Sequence, residues 1–221
     1  MADDSQPEKI WDEYDWERFL QLQDRKTEHY MELLEKYIDH PDRDRIIARE
    51  MGWTHLLGDD VDGWTDDGVE SALGEGSDDE FEDGADEDEE EEFDDYETHP
   101  LYKATFALTV WLDQLFERGE ELQNDPAAVK LSTNTAVCSA KLAAALSEGE
   151  VDELGMTIAY LKRALKAIST AMEAALQLRD EEKIDADVSA SLTQRLFQIR
   201  DSIIDLMGSY RAEFRRRFGT A

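Results

Sequence analysis

The sequence predicts an all-α protein: an antiparallel four-helix bundle over residues 100–221, an extra N-terminal helix, and a long acidic, largely disordered insertion between them. Three observations predict it. After Pro100, apolar residues recur at spacings of three and four along four segments, the pattern of helices that bury one face. Those segments carry proline, aspartate or glycine where a helix should start or stop. Residues 50–102 hold 23 Asp and Glu and no Lys or Arg, and like charges at that density repel one another and stay solvated. The implied division is an N-terminal helical segment, 1–52, an acidic linker rich in Gly, Asp and Glu, 53–99, and the bundle, 100–221.

Residues 7–38 read as helix. Pro7 suits a first turn, and Glu8 suits the positive end of the helix dipole. Trp16, Leu20, Tyr30, Leu34 and Tyr37 fall on one face, while the polar stretch 21–28 leaves room for a kink. The aromatics Trp11, Tyr14, Trp16 and Phe19 are expected to pack on the C-terminal body, a partner-binding face being the alternative. His40-Pro41 ends the helix, because the residue before proline is pushed out of the α region. Residues 42–51 then suit a short helix closed by Gly52. The string IIAREMGWT, 46–54, has the outline of the start of a helix-turn-helix. A basic recognition helix should follow, but the chain continues HLLGDDVDGWTDDG.

The densest acidic part, 77–98, reads SDDEFEDGADEDEEEEFDDYET. It does not spell a calcium loop, which needs oxygen ligands at fixed spacing, glycine at the sixth position and glutamate at the twelfth. With Gly63 sixth, the first and twelfth positions are Gly58 and Val69; with Gly84 sixth, the third is Phe81. Diffuse cation binding by clustered carboxylates is the expectation there. Phe81, Phe93 and Tyr96 stand among carboxylates that include Glu89, Glu90, Glu91 and Glu92. Acids interleaved with aromatics are typical of segments that dock on basic, apolar grooves.

In the bundle, the first helix is expected over 100–123, with Leu101, Thr105, Leu108, Leu112, Leu115 and Leu122 inward. Asp125 and Pro126 start the second, whose stripe is Leu131, Thr135, Cys138, Leu142 and Ala145. A third, 150–179, turns Leu154, Ile158, Leu161, Leu165, Ile168, Met172 and Leu176 inward. Asp185 or Asp187 caps the last, which runs to about Phe218 with Val188, Leu192, Leu196, Ile199, Ile203, Leu206, Tyr210 and Phe214 inward. Short turns between such helices give an up-and-down arrangement.

Composition narrows the function. The net charge is −32, which disfavours nucleic acid and anionic membrane as partners. Residues 103–221 alone hold 18 acids and 15 bases, so the excess belongs to the tract. One cysteine, Cys138, allows no internal disulfide and no multi-cysteine metal site. None of the four histidines has the Glu-x-x-His spacing of a di-iron bundle. No phosphate-binding glycine loop is present, and no cofactor is implied. The start, MADDSQPEK, has no leader character, and no run of about 18 apolar residues exists, so the expected compartment is cytoplasmic.

What remains is a non-enzymatic helical interaction or scaffold protein. Its acidic tract is expected to engage a basic partner, or the chain's own cluster of Arg211, Arg215, Arg216 and Arg217. The alternative is a bundle that binds divalent metal, for storage or phosphate hydrolysis, through acid pairs such as Glu117/Glu120, Glu150/Glu153 and Glu182/Asp185. Self-association is compatible with either.

Overall fold

A computed structural model describes residues 9–53, 95–117, 120–147 and 153–219. All regular structure among them is helical. In chain order the helices are α1 (Glu13–Tyr37), α2 (Arg43–Glu50), α3 (Asp95–Thr98), α4 (Pro100–Glu117), α5 (Glu120–Gln123), α6 (Pro126–Leu146), α7 (Leu154–Asp180) and α8 (Ala186–Phe218). The chain divides into two compact units, Met1–Arg18 with Glu91–Ala221, and Phe19–Glu90. The acidic tract expected to be disordered lies, apart from Trp53 and residues 95–99, outside the described residues.

Helices α4, α6, α7 and α8 form the antiparallel four-helix bundle. Helix α6 packs on α4 and on α7, α7 packs on α8, and α8 closes the ring against α4. Leu108, Leu112, Leu131, Leu142, Leu161, Ile168, Leu196 and Ile203 are fully buried at its centre, each such side chain contributing about 1.5–3 kcal/mol. Two threonines on this face stay satisfied by bonding back one turn. Thr105 Oγ1 donates to the Leu101 carbonyl and Thr135 Oγ1 to that of Leu131, both at 2.9 Å. Asp125 caps α6, its Oδ1 accepting from the Ala127 and Ala128 amides at 2.9 and 3.1 Å, with Pro126 behind it.

Several facings differ from the sequence reading. On α7 Leu165 and Met172 are only half-buried and Leu176 is exposed, whereas Ala159, Ala164, Ala167, Ala171, Ala174, Ala175 and Leu178 are buried. On α8 Met207 is buried, while Val188, Leu206, Tyr210 and Phe214 are half-buried. On α4 Phe116, not Leu115, is the buried residue. The expected first helix of the bundle is divided, α4 ending at Glu117 and α5 beginning at Glu120.

The start of α1 is also later than expected. Asp12 caps it, accepting from the Tyr14 and Asp15 amides at 2.8 and 2.9 Å. Asp15 accepts in return from the Asp12 amide at 3.4 Å, a capping box built from two aspartates. Pro7 and Glu8 lie outside the described residues. Within the second unit, Leu33, Ile47 and Ala48 are buried and Tyr30 lies 5.7 Å from Trp53, ring to ring. Gly52, at φ +74°, ends α2 as expected: its amide reaches the Arg49 carbonyl, and that of Trp53 reaches Ala48. That is the paired bonding of a left-handed helix stop.

Candidate functional site

The basic cluster singled out in the sequence sits near the end of α8, and the structure separates its members. Arg211 forms a two-pronged ion pair with Glu13, in the first turn of α1: Nε to Oε2 at 2.7 Å and an Nη to Oε1 at 2.8 Å. Lys162 of α7 comes within 3.7 Å of the same carboxylate and lies over the Tyr14 ring, 4.5 Å from its centre. One turn on, Glu17 takes both prongs of Arg163 at 3.1 and 3.3 Å. Glu13 is buried. The hydrogen bond from Arg211 holds its carboxyl below the usual range against the opposing cost of burial, with the charges of Arg211 and Lys162 adding to it.

A glycine makes this contact close. A Cβ at Gly155, in the first turn of α7, would collide with the Trp11 carbonyl oxygen and come within 2.9 Å of the Trp16 ring. Trp11 and Trp16 meet edge to face at 5.0 Å. Residues 9–18 are therefore strapped across α7 and α8 by two carboxylates and one bare backbone. The aromatics were expected to pack on the C-terminal body: half-buried Trp16 lies against Gly155, while Trp11 and Tyr14 remain 40% and 63% exposed. Sequence reasoning missed Glu13, Glu17 and Gly155; acids at i and i+4 opposite arginines of two other helices leave no local pattern.

The remaining arginines lie outside the strap. Arg216 and Arg217 share one carboxylate, Glu213, whose pKa they hold down to about 2. Arg215 is exposed beside them. Phe214 and Phe218 meet edge to face at 5.1 Å. Tyr96 lies on α3 and packs edge to face on Tyr102 at 5.0 Å, which stacks on Phe106. Phe81, Glu89, Glu90, Glu91, Glu92 and Phe93 lie outside the described residues.

Between α4 and α8 runs an open groove of about 900 Å³. Leu101, Ala104 and Ala107 line its α4 side; Arg195, Gln198, Ser202 and Asp205 line its α8 side. Arg195 rests on the Trp111 ring, 5.1 Å from its centre. Among the described residues no ion pair reaches Arg195 or Asp205.

Cys138 is fully buried, and burial pushes its thiol up to about 12, so it is a packing residue and not a nucleophile. Of the acid pairs considered for metal, Glu182 and Asp185 are exposed in a turn, Glu150 lies outside the described residues, and nothing is described of the Glu120 side chain. No group of three or more His, Cys, Asp or Glu placed to hold a metal occurs among the described residues. No helix among them is long and apolar enough to cross a membrane. Compared with known proteins, the chain matches no family model, no curated protein and no solved structure.

Proposed function

We propose that this chain is a non-enzymatic interaction protein in which the helical bundle is a scaffold and the acidic tract engages a basic protein partner. The observation that carries the reading is the segregation of charge. Residues 50–102 hold 23 acids and no base, against 18 acids and 15 bases in residues 103–221. The arginines of α8 favour a partner in trans over the chain's own cluster, because Arg211 is taken by Glu13 and two others by Glu213. Carboxylates supply long-range attraction, and Phe81, Phe93 and Tyr96 supply apolar anchors among them. Exposed ion pairs contribute about 0–1 kcal/mol each, so the complex is loose and falls apart as salt rises.

Calorimetric titration of the full chain with a lysine- and leucine-rich peptide tests this. Binding should weaken with salt, weaken when Glu89, Glu90, Glu91 and Glu92 are all changed to glutamine, and vanish when residues 54–94 are removed. Peptide binding that survives the deletion overturns the proposal. So does stoichiometric Mn²⁺ binding to the deleted chain, which would favour the metal-binding alternative.

A further inference from the structure

We infer that the groove between α4 and α8 is the contact surface for a second copy of this chain, the two α8 helices lying antiparallel about a two-fold axis near residue 200. Such an axis brings complementary side chains together. It places Arg195 opposite the second copy's Asp205, Gln198 opposite Ser202, and Ser191 opposite Ser209. All six residues line the groove. The one pairing of charged residues is a pairing of opposite charges, and two-fold symmetry makes it twice.

Along α8, Arg200 pairs with Asp201, Arg211 with Glu13, and Arg216 and Arg217 with Glu213. Asp187, Arg195, Asp205 and Arg215 of α8 have no ion pair among the described residues, and of these four only Arg195 and Asp205 line the groove. They stand ten positions apart, about 15 Å along the helix, too far to meet within one chain. Arg195, though exposed, already rests on Trp111, a contact that reduces the side-chain freedom it loses on taking a carboxylate.

The shape of the groove suits a helix. Ser191, Ser202 and Ser209 on α8, with Ala104 and Ala107 on α4, are small side chains along its walls. Half-buried Leu206 provides apolar surface between them, while Leu101 and Ile199, which also border the groove, are themselves buried. The α4 wall widens the contact beyond one helix pair, toward the roughly 800 Å² per partner of a stable interface. Charge does not forbid the approach: residues 103–221 carry only 18 acids against 15 bases. The acidic tracts oppose it, but repulsion over more than about 8 Å is screened at about 150 mM salt.

Sedimentation equilibrium of the full chain at about 150 mM salt, from micromolar to millimolar protein, tests the inference. The natural chain should dimerise. R195D and D205R, which oppose like charges, should each weaken the dimer about tenfold or more. An equimolar mixture of the two, and the double variant, should recover it. Ser202→Trp at the exposed axis position should abolish the dimer, and it remains informative if R195D does not fold. The inference is overturned if the natural chain stays monomeric, which would leave the groove to a partner of other chemistry. Single variants that associate like the natural chain, or folded variants whose mixture does not re-associate, overturn it equally.

Discussion

The seams on either side of α7 and the seam between α4 and α8 use the same small residue to opposite ends. On α7, Ala164, Ala167 and Ala171 are buried in the same core as Leu131, Leu142, Leu192 and Leu196 of the neighbouring helices. On α4, Ala104 and Ala107 are exposed and border a groove of about 900 Å³. Alanine thus closes a seam only where the facing helix supplies a large apolar side chain. Where the facing helix supplies Gln198, Ser202 and Asp205, the same residue leaves a surface.

The largest effect should separate the two sides of α8. Ile203 is fully buried, and its neighbour Ser202 opens on the groove. Ile203→Asp or Leu196→Asp should lose about 3–5 kcal/mol of stability, since each buries a charge without a partner. Ser202→Asp or Arg200→Asp should cost within about 1 kcal/mol. Urea denaturation followed by circular dichroism reads both, and equal losses would mean that the groove side is packed after all.

Overpacking should show the same division more gently. Ala171→Leu adds three carbons to a filled seam and should cost about 1–3 kcal/mol. Ala107→Leu points into the groove and should be neutral within about 0.5 kcal/mol. A cost at Ala107 comparable to that at Ala171 would break the comparison.

The alanine seam also marks where the sequence was hardest to read. The stripes of α4 and α6 were legible because large residues carry them: Leu108, Leu112, Leu131 and Leu142 are all buried as spaced. On α7 Ile158, Leu161 and Ile168 are buried as spaced, but Leu165 and Met172 are half-buried and Leu176 is exposed, and alanines with Leu178 complete the inward face. Methyl groups carry little weight in a hydrophobic pattern, but they decide how closely two helices approach. The helix stop at Gly52 and the helix start at Asp125 were legible because their chemistry is local. The strap was not, since Glu13 and Arg211 are 198 residues apart and nothing near either one names the other. The groove was equally hidden, because an alternation of small and polar residues on α8 looks like any solvated face.

The strap gives a third kind of seam, held by charge. Glu13→Gln keeps the shape of the side chain and removes the ion pair with Arg211. The cost should be about 1–2 kcal/mol, between that of an exposed pair and a buried one. Gly155→Ala should release the same residues by collision with Trp11. Acid should act likewise. The carboxyl of Glu13 titrates lower in the folded chain than in the unfolded one. Its stabilising contribution is therefore complete above the ordinary glutamate range of about 4.3, and it is lost as pH falls through the depressed value. Amide exchange at Trp16 and Glu17 should quicken in both variants and in acid, while exchange in α6 stays slow. Unchanged protection at Trp16 in Glu13→Gln would show that apolar contact, not charge, holds the strap.

The smallest effect should be a gain, and it isolates the turn from the seams it joins. After α7 the chain reverses through Glu182, which has φ 55° and is the one described non-glycine residue with positive φ. Its amide reaches the Arg179 carbonyl at 3.0 Å, and that of Lys183 reaches Leu178 at 2.9 Å. This is the same left-handed stop that Gly52 makes after α2, here imposed on a residue with a side chain. Holding a side chain in that conformation costs about 1–2 kcal/mol. The turn keeps it because Lys183, placed by it, bonds Asp125, the residue that caps α6. Glu182→Gly removes the crowding but gives the unfolded chain more freedom, an opposing term of similar origin. The net expectation is a stabilisation of about 0.5–1 kcal/mol with α7 and α8 packing unchanged, read by thermal denaturation alongside the exchange rates of buried amides. A loss of stability would mean that the Glu182 side chain itself contributes to the turn, and that the crowding there is less costly than the backbone geometry implies.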